Sequence, residues 1–300
     1  MTLSESTIKQ YNSRISKLEQ IAPLASIDKH FKEIDDMYPN IQTRKGVYTA
    51  LLWKLDTNNP IREKVQEKFN SLKKECNQQA NNQELTSNQL QNYMSHTECL
   101  TIYNKATNKL NWEDKTYTDD WLYYTILCLY VIQPPVRADY WNMSIKTCFK
   151  EDFPSLDTDL GRITYFAQNE ADKAFNYCVV TETETYFIFN NYKTAKTYGQ
   201  RIIQAEWIIH HLILHLRTNF NITQVLPIQS PNALVKAVKK AFTYFGGKEI
   251  TIGLLRHSYI VEFYKQNPSI HKKEDLAFKM LHSRAIQECY RSENIQEDDI

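Results

Sequence analysis

Ile8, Tyr11, Ile15 and Leu18 recur at three- and four-residue intervals, the spacing that lines up apolar side chains on one face of a helix. Ser4 or Ser6 is placed to cap that helix. Thr43 is placed to cap a second, carrying Val47, Leu51 and Leu55. Asn59-Pro60 reads as a cap followed by proline at the first position of a third, with Val65, Phe69 and Leu72 on its inner face. Together they predict a small all-helical domain over residues 1–76. The apolar signal then fades. NQQANNQELTSNQLQN (77–92) is rich in Asn and Gln and poor in large apolar groups, which predicts a linker whose far half runs into the next helix.

The pattern strengthens again beyond the linker. WLYYTILCLYVI (121–132) is apolar all round and reads as a buried helix, stopped by Gln133-Pro134-Pro135. NYCVV (176–180) and TYFIF (185–189) read as strands. The polar turn NNYKTAKTYG and then QRIIQ (200–204) complete a hairpin signature. Helical spacing resumes in AEWIIHHLILHL (205–216), and Ser230-Pro231 opens a further helix that ends at Gly246-Gly247. Thr251 and Ser269 are placed to cap two more, the first holding LLRHSYIVEFY and the second leading to KMLHS. The expected fold is mainly α with a small β-hairpin or sheet (α+β), its second domain spanning residues 93–300. No internal repeat is evident.

Composition narrows the class. A hydrophobic fraction of 42%, with 19 Tyr and 13 Phe, is enough to build real cores. Lys and Arg total 36 against 35 Asp and Glu, a net charge of +1. The chain as a whole is therefore not strongly basic, and any work on phosphates falls to a local basic face. The 6 cysteines (76, 99, 128, 148, 178 and 289) include no CxxC pair, which suits a reducing compartment and suggests neither a zinc site nor a disulfide framework. The N-terminus MTLSESTIKQ lacks a signal-peptide core. The run at 121–132 is shorter than the roughly 20 residues a bilayer span needs. A soluble, intracellular protein without membrane contact is expected, with nucleus or cytoplasm left open.

Three polar clusters sit inside apolar frames. In PPVRADYWNM, Arg137 and Asp139 follow two prolines that fix the backbone. The arginine is pre-aimed, and the carboxylate can hold its guanidinium, although a surface ion pair would look the same. In LLRHSYI, Arg256 and His257 begin an apolar helix. They read as an internal salt bridge or as an arginine directed into a cleft to receive an anion. In KMLHSRAIQECYRSEN, Leu281, Ile286 and Tyr290 can form the apolar face of a last helix with His282 as a cap. Equally, a tyrosine hydroxyl is a nucleophile once activated, and histidine is suited to hydrogen bonding near neutral pH. Two arginines, a histidine, a tyrosine and a lysine-bearing hairpin, with no acidic metal-binding cluster, suit phosphodiester chemistry without a metal. No cofactor is expected.

The order of these motifs is recognisable. Arg137 in PPVRADY, Lys193 in NNYKTAKTYG, Arg256 in LLRHS, His282 in MLHS and then Tyr290 resemble the tyrosine recombinase (phage-type integrase) family. The details are most like the integrases of eukaryotic DNA viruses and related mobile elements. The motifs cover roughly residues 85–300; residues 1–76 stand only where the family has its helical core-binding domain. The resemblance implies site-specific strand cutting and rejoining on double-stranded DNA by a tetramer on two sites. By it, Tyr290 forms a 3′-phosphotyrosine bond, and Arg137 and Arg256 clamp the scissile phosphate. His282 hydrogen-bonds the same phosphate. Lys193 protonates the leaving 5′-hydroxyl, with Lys196 as its rival. Asp139 supports Arg137, and His257 supports the fold beside Arg256. The chain departs from the family at Gly253, where a histidine or lysine is usual; either another group replaces it or the site works with one fewer. Leu281 stands where glycine is frequent, a packing difference. A type IB-like topoisomerase and a catalytically degenerate DNA-binding protein are the alternatives.

Other candidates carry less. His210, His211 and His215 have metal-like spacing without a nearby carboxylate or cysteine, and solvent-facing histidines are expected instead. Lys236, Lys239 and Lys240 share one side of a helix, a solvated face or a DNA-backbone contact. The acidic tail EDDI (297–300) is expected to avoid DNA and to be mobile.

Overall fold

The computed structural model describes residues 3, 5–81, 85–151, 156, 158–168, 173–288 and 290. Ser4, the EDDI tail and Cys289 lie outside these residues. The chain forms two compact units, residues 1–84 and 85–300.

The first unit is helical. It contains α1 (Glu5–Glu19), a 3-10 stretch (Leu24–His30), α2 (Phe31–Met37), α3 (Ile41–Lys54) and α4 (Arg62–Asn81). Ile15 and Leu18, foreseen on the inner face of α1, are buried with Val47, Leu51 and Val65 in one core. Several details differ from expectation: Ser6 lies inside α1 rather than capping it, and α4 begins at Arg62, two residues beyond Pro60. The cap of α3 is Asn40, whose side chain accepts from the Thr43 N–H at 3.0 Å; Thr43 lies a turn inside. Helix α4 runs to Asn81, and α5 (Ser87–Asn92), already in the second unit, opens at a Thr86–Gln89 capping box, so helix occupies both ends of the stretch 77–92. A capping box satisfies two free amides at once, which explains how so polar a segment starts a helix.

In the second unit, α6 (His96–Lys109) begins at a Ser95–Glu98 capping box. Next comes α7 (Asp119–Leu127), which continues as a π-helical turn (Cys128–Ile132) and stops at Gln133 before the two prolines. The chain then forms β1 (Ser144–Thr147), α8 (Asp159–Gln168), β2 (Tyr177–Val180), β3 (Thr185–Phe189), α9 (Ala195–Tyr198) and β4 (Arg201–Gln204). The remaining helices are α10 (Trp207–Phe220), α11 (Pro231–Tyr244), α12 (Ile252–Lys265), α13 (Ile270–Lys279) and α14 (Arg284–Glu288).

The four strands lie in the order β1-β2-β3-β4, β1 parallel to β2 and the other pairs antiparallel. The fold is thus mainly α with one small sheet, as the apolar pattern predicts. The β3–β4 connection is not a tight turn. Residues 190–200 hold α9, which is followed by Gly199, whose φ of 68° favours glycine. The caps foreseen at Ser230, Thr251 and Ser269 accept from the amides of Ala233, Leu254 and Lys272. No helix among the described residues is long and apolar enough to cross a membrane.

Candidate active site

Arg256 lies in the second turn of α12 and is 1% exposed. An unpaired guanidinium there would be costly, and the chain supplies acceptors from two other segments. Nη1 donates to the Pro135 carbonyl at 2.6 Å and to the Met280 carbonyl at 3.1 Å. Nη2 meets His282 Nδ1 at 2.9 Å. One side chain therefore ties the loop after the buried helix to the turn after α13. The same loop carries Arg137, half-buried, whose carbonyl accepts from the Tyr130 hydroxyl at 2.7 Å.

The turn bearing His282 is built by a Schellman motif: the Leu281 N–H donates to Phe278 O at 3.2 Å and the His282 N–H to Ala277 O at 3.1 Å. The motif demands a left-handed residue, and Leu281 takes φ 57°, which costs a non-glycine residue about 1–2 kcal/mol. Leu281 thus differs from glycine in backbone strain as well as in packing. Its side chain is buried in the main core of this unit, which offsets the strain.

Arginine only donates, so the Arg256 contact makes His282 Nδ1 the acceptor and puts the ring proton on Nε2. Burial, and then the charges of Arg256 and Arg137, push the His282 pKa down to about 3. The ring is neutral near neutral pH; the Gln287 side chain lies beside it as a hydrogen-bond partner that opposes the lowering, though its Nε2–H makes no well-aligned bond among the described residues. Arg256 Nε is likewise unmet. Burial lowers the Arg256 pKa; the charge of Tyr290 and a hydrogen bond that Arg256 donates to it oppose this, as does Asp139, while Arg137 adds to it. A buried guanidinium hydrogen-bonded to the Tyr290 phenol, and a buried imidazole N–H beside it, form a concentration of positive charge and donors that suits an anion.

Tyr290 follows α14. The Arg256 guanidinium carbon is 5.5 Å from its ring centroid, and the His282 ring lies at 6.0 Å, tilted 39°. Helix α14 is held by Gln287, fully buried, and by Glu288: the Tyr264 hydroxyl donates to Glu288 at 2.9 Å and receives the Gln287 amide at 3.4 Å. Sequence reasoning missed Gln287 and Tyr264; the polar pair sits in apolar surroundings, a signal too common to single out. Asp139, mostly buried, has its pKa raised to about 6 by burial against the pull of Arg137 and Arg256. Its backbone carbonyl accepts from the Asn176 amide at 3.1 Å.

The structure therefore gathers Arg137, Asp139, Arg256, His257, His282 and Tyr290. Lys193 and Lys196 are exposed on the β3–β4 connection. Thr194, next to Lys193, donates its hydroxyl to the Leu281 carbonyl at 3.2 Å. Arg201 lies over the Phe278 ring at 4.2 Å, so the lysine-bearing loop is fastened to the segment that ends in His282. On α11, Lys236 is exposed, Lys239 is 3.5 Å from Glu249 and Lys240 is 3.8 Å from Asp119. Such surface pairs are weak.

The histidines of α10 require a correction. His210 is not solvent-facing: it is buried, its Nδ1 3.0 Å from the Thr185 hydroxyl. His215 stacks on Trp121 at 4.7 Å, and only His211 is exposed. Apolar residues around most of α10 leave no wholly solvated face. No cluster of three or more metal-ligating groups occurs among the described residues.

No family model matches the chain, and no curated protein matches its sequence. Among solved structures it is similar to one described as the crystal structure of XerA recombinase, at 14% identity over 99% of this chain and 90% of that chain, with a TM-score of 0.41. A likeness this distant bears on none of the chemistry.

Proposed function

We propose that the protein is a DNA-breaking and rejoining enzyme of the tyrosine recombinase type, acting on double-stranded DNA through a 3′-phosphotyrosine intermediate. The observation that carries this is the junction of Arg256, His282 and Tyr290: a buried guanidinium that meets both the imidazole and the phenol. Tyr290 attacks the phosphorus. Arg137 and Arg256 bind the non-bridging oxygens as charge develops on them, and the His282 Nε2–H donates to the same group. Asp139 orients Arg137. Lys193 gives a proton to the leaving 5′-oxygen. The phosphotyrosine bond conserves the energy of the phosphodiester, so the reaction calls for no cofactor or metal.

Strand exchange needs paired cuts, which implies a tetramer on two sites. Residues 1–76 act as a second DNA-contacting module that raises affinity by effective concentration. Lys196, Lys236, Lys239 and Lys240 contact the backbone. The motifs that resemble viral and mobile-element integrases suggest that setting. The test is incubation with a nicked duplex carrying a candidate terminal sequence, followed by a denaturing gel and by the mass of the native complex. A covalent adduct in a complex of more than one protomer is expected. A one-protomer complex that relaxes supercoils on any sequence assigns a topoisomerase instead.

A second test addresses the hairpin. Lys193→Ala should slow cleavage by about 10²–10⁴-fold, the scale of losing a general acid. A 5′-sulfur leaving group, which needs no proton, should restore the rate. Rescue of Lys196→Ala but not of Lys193→Ala reverses the roles of the two lysines.

A further inference from the structure

Gly253 leaves one turn of α12 without a side chain. A Cβ there would meet nothing nearer than Thr251 Oγ1 at 3.7 Å, so the space over that turn is open. His257 is four residues on. Positions i and i+4 share a helix face, and a helical side chain leans back over the turn before its own Cα. The imidazole of His257 is thus directed to the face that Gly253 vacates. It is buried, set edge-on to Tyr93 at 5.9 Å and to Tyr290 at 6.4 Å. Its Nε2 has no partner among the described residues.

The two histidines beside Tyr290 are not equivalent. His282 has committed its Nδ1 lone pair to Arg256 and carries its proton on Nε2. It can donate but has no free lone pair to accept. His257 Nε2 is uncommitted, and in the Nδ1–H tautomer it presents a lone pair.

Resting on the assignment of Tyr290 as nucleophile, we propose that His257 is a further catalytic residue, which accepts the Tyr290 hydroxyl proton. As the Tyr290 O–H bond breaks, the proton passes to His257 Nε2 and the ring becomes imidazolium. The Tyr290 oxygen–phosphorus bond forms while the bond from phosphorus to the leaving 5′-oxygen breaks, and that oxygen takes a proton from Lys193. Rejoining runs the same transfers backwards. Burial pushes the His257 pKa down to about 4, so the free ring is neutral near neutral pH and ready to accept. Bound phosphate brings the negative charge that steadies the imidazolium. Among the described residues the titratable groups set against the ring are Tyr93, from the segment ahead of α6, and Tyr290; Arg256 is its neighbour in α12, and burial alone shifts the ring's pKa.

The test is single-turnover adduct formation on a nicked duplex, across pH, for the wild type, His257→Gln, His257→Ala and Tyr290→Phe. His257→Gln should bind DNA normally, react about 10²–10⁴-fold more slowly, and lose the acid limb of the wild-type pH profile. Added imidazole should restore His257→Ala. Thermal melts establish folding, and if the Gln variant does not fold, the Ala variant with imidazole decides. A His257→Gln rate and pH profile like the wild type's, with Tyr290→Phe inert, overturns this step and leaves the nucleophile standing. Slowing with neither imidazole rescue nor a changed pH profile also overturns it. A wild type that forms no adduct overturns the proposed function itself.

Discussion

Tyr290→Phe should abolish covalent protein–DNA adducts while duplex binding stays close to wild type. The substitution removes one oxygen and keeps the ring that lies against Arg256, His257 and His282. The fold should therefore hold, with a change in stability under about 1 kcal/mol. The loss of rate should be on the order of 10⁴–10⁶-fold, the scale of deleting a nucleophile, which puts any product below detection on a denaturing gel. Persistent adducts in the Phe variant would show that another residue attacks and that Tyr290 only packs.

Arg256→Lys should separate from Arg137→Lys in one measurable respect. Both replacements keep a positive charge and lose the planar fork. Both should slow cleavage by about 10²–10³-fold, as for losing one transition-state donor. Only Arg256, though, is buried and bonded to Pro135 O, Met280 O and His282 Nδ1. A lysine ammonium cannot reach all three acceptors in that geometry, so Arg256→Lys should also lower stability by about 2–4 kcal/mol. Arg137, half-buried, should cost little. Thermal melts beside adduct rates check both. Near-normal cleavage by Arg256→Lys would reduce the residue to an internal strut.

Much of the frame was legible because its signals are local. Ser230, Thr251 and Ser269 cap the helices they precede, and two prolines stop the buried helix. TYFIF matches β3 residue for residue. What was not legible depends on partners distant in sequence. β1 is a four-residue strand, SIKT, too short and polar to stand out without β2 beside it. Helix α8 buries Ile163, Phe166 and Ala167 against the sheet cluster, but a glycine stands near its start. Thr43 looked like a cap because nothing local distinguishes it from Asn40. At the site, the sequence offered residue types in order. It could not show that Arg256 holds the Pro135 carbonyl and His282 Nδ1 together, so neither the histidine's tautomer nor the free Nε2 of His257 could be read from it. The β3–β4 connection reads as a tight turn because its polar run ends in glycine; the turn of helix within it follows from packing on the segment that ends in His282.

The most direct measurement is to trap the protein on a nicked duplex, digest the adduct and locate the nucleotide-bearing residue by mass spectrometry. The expected result is a phosphodiester remnant on Tyr290 joined through a 3′-phosphate. Attachment at any other residue, or through a 5′-phosphate, would contradict the assignment of Arg256, His282 and Tyr290 as a strand-cutting site.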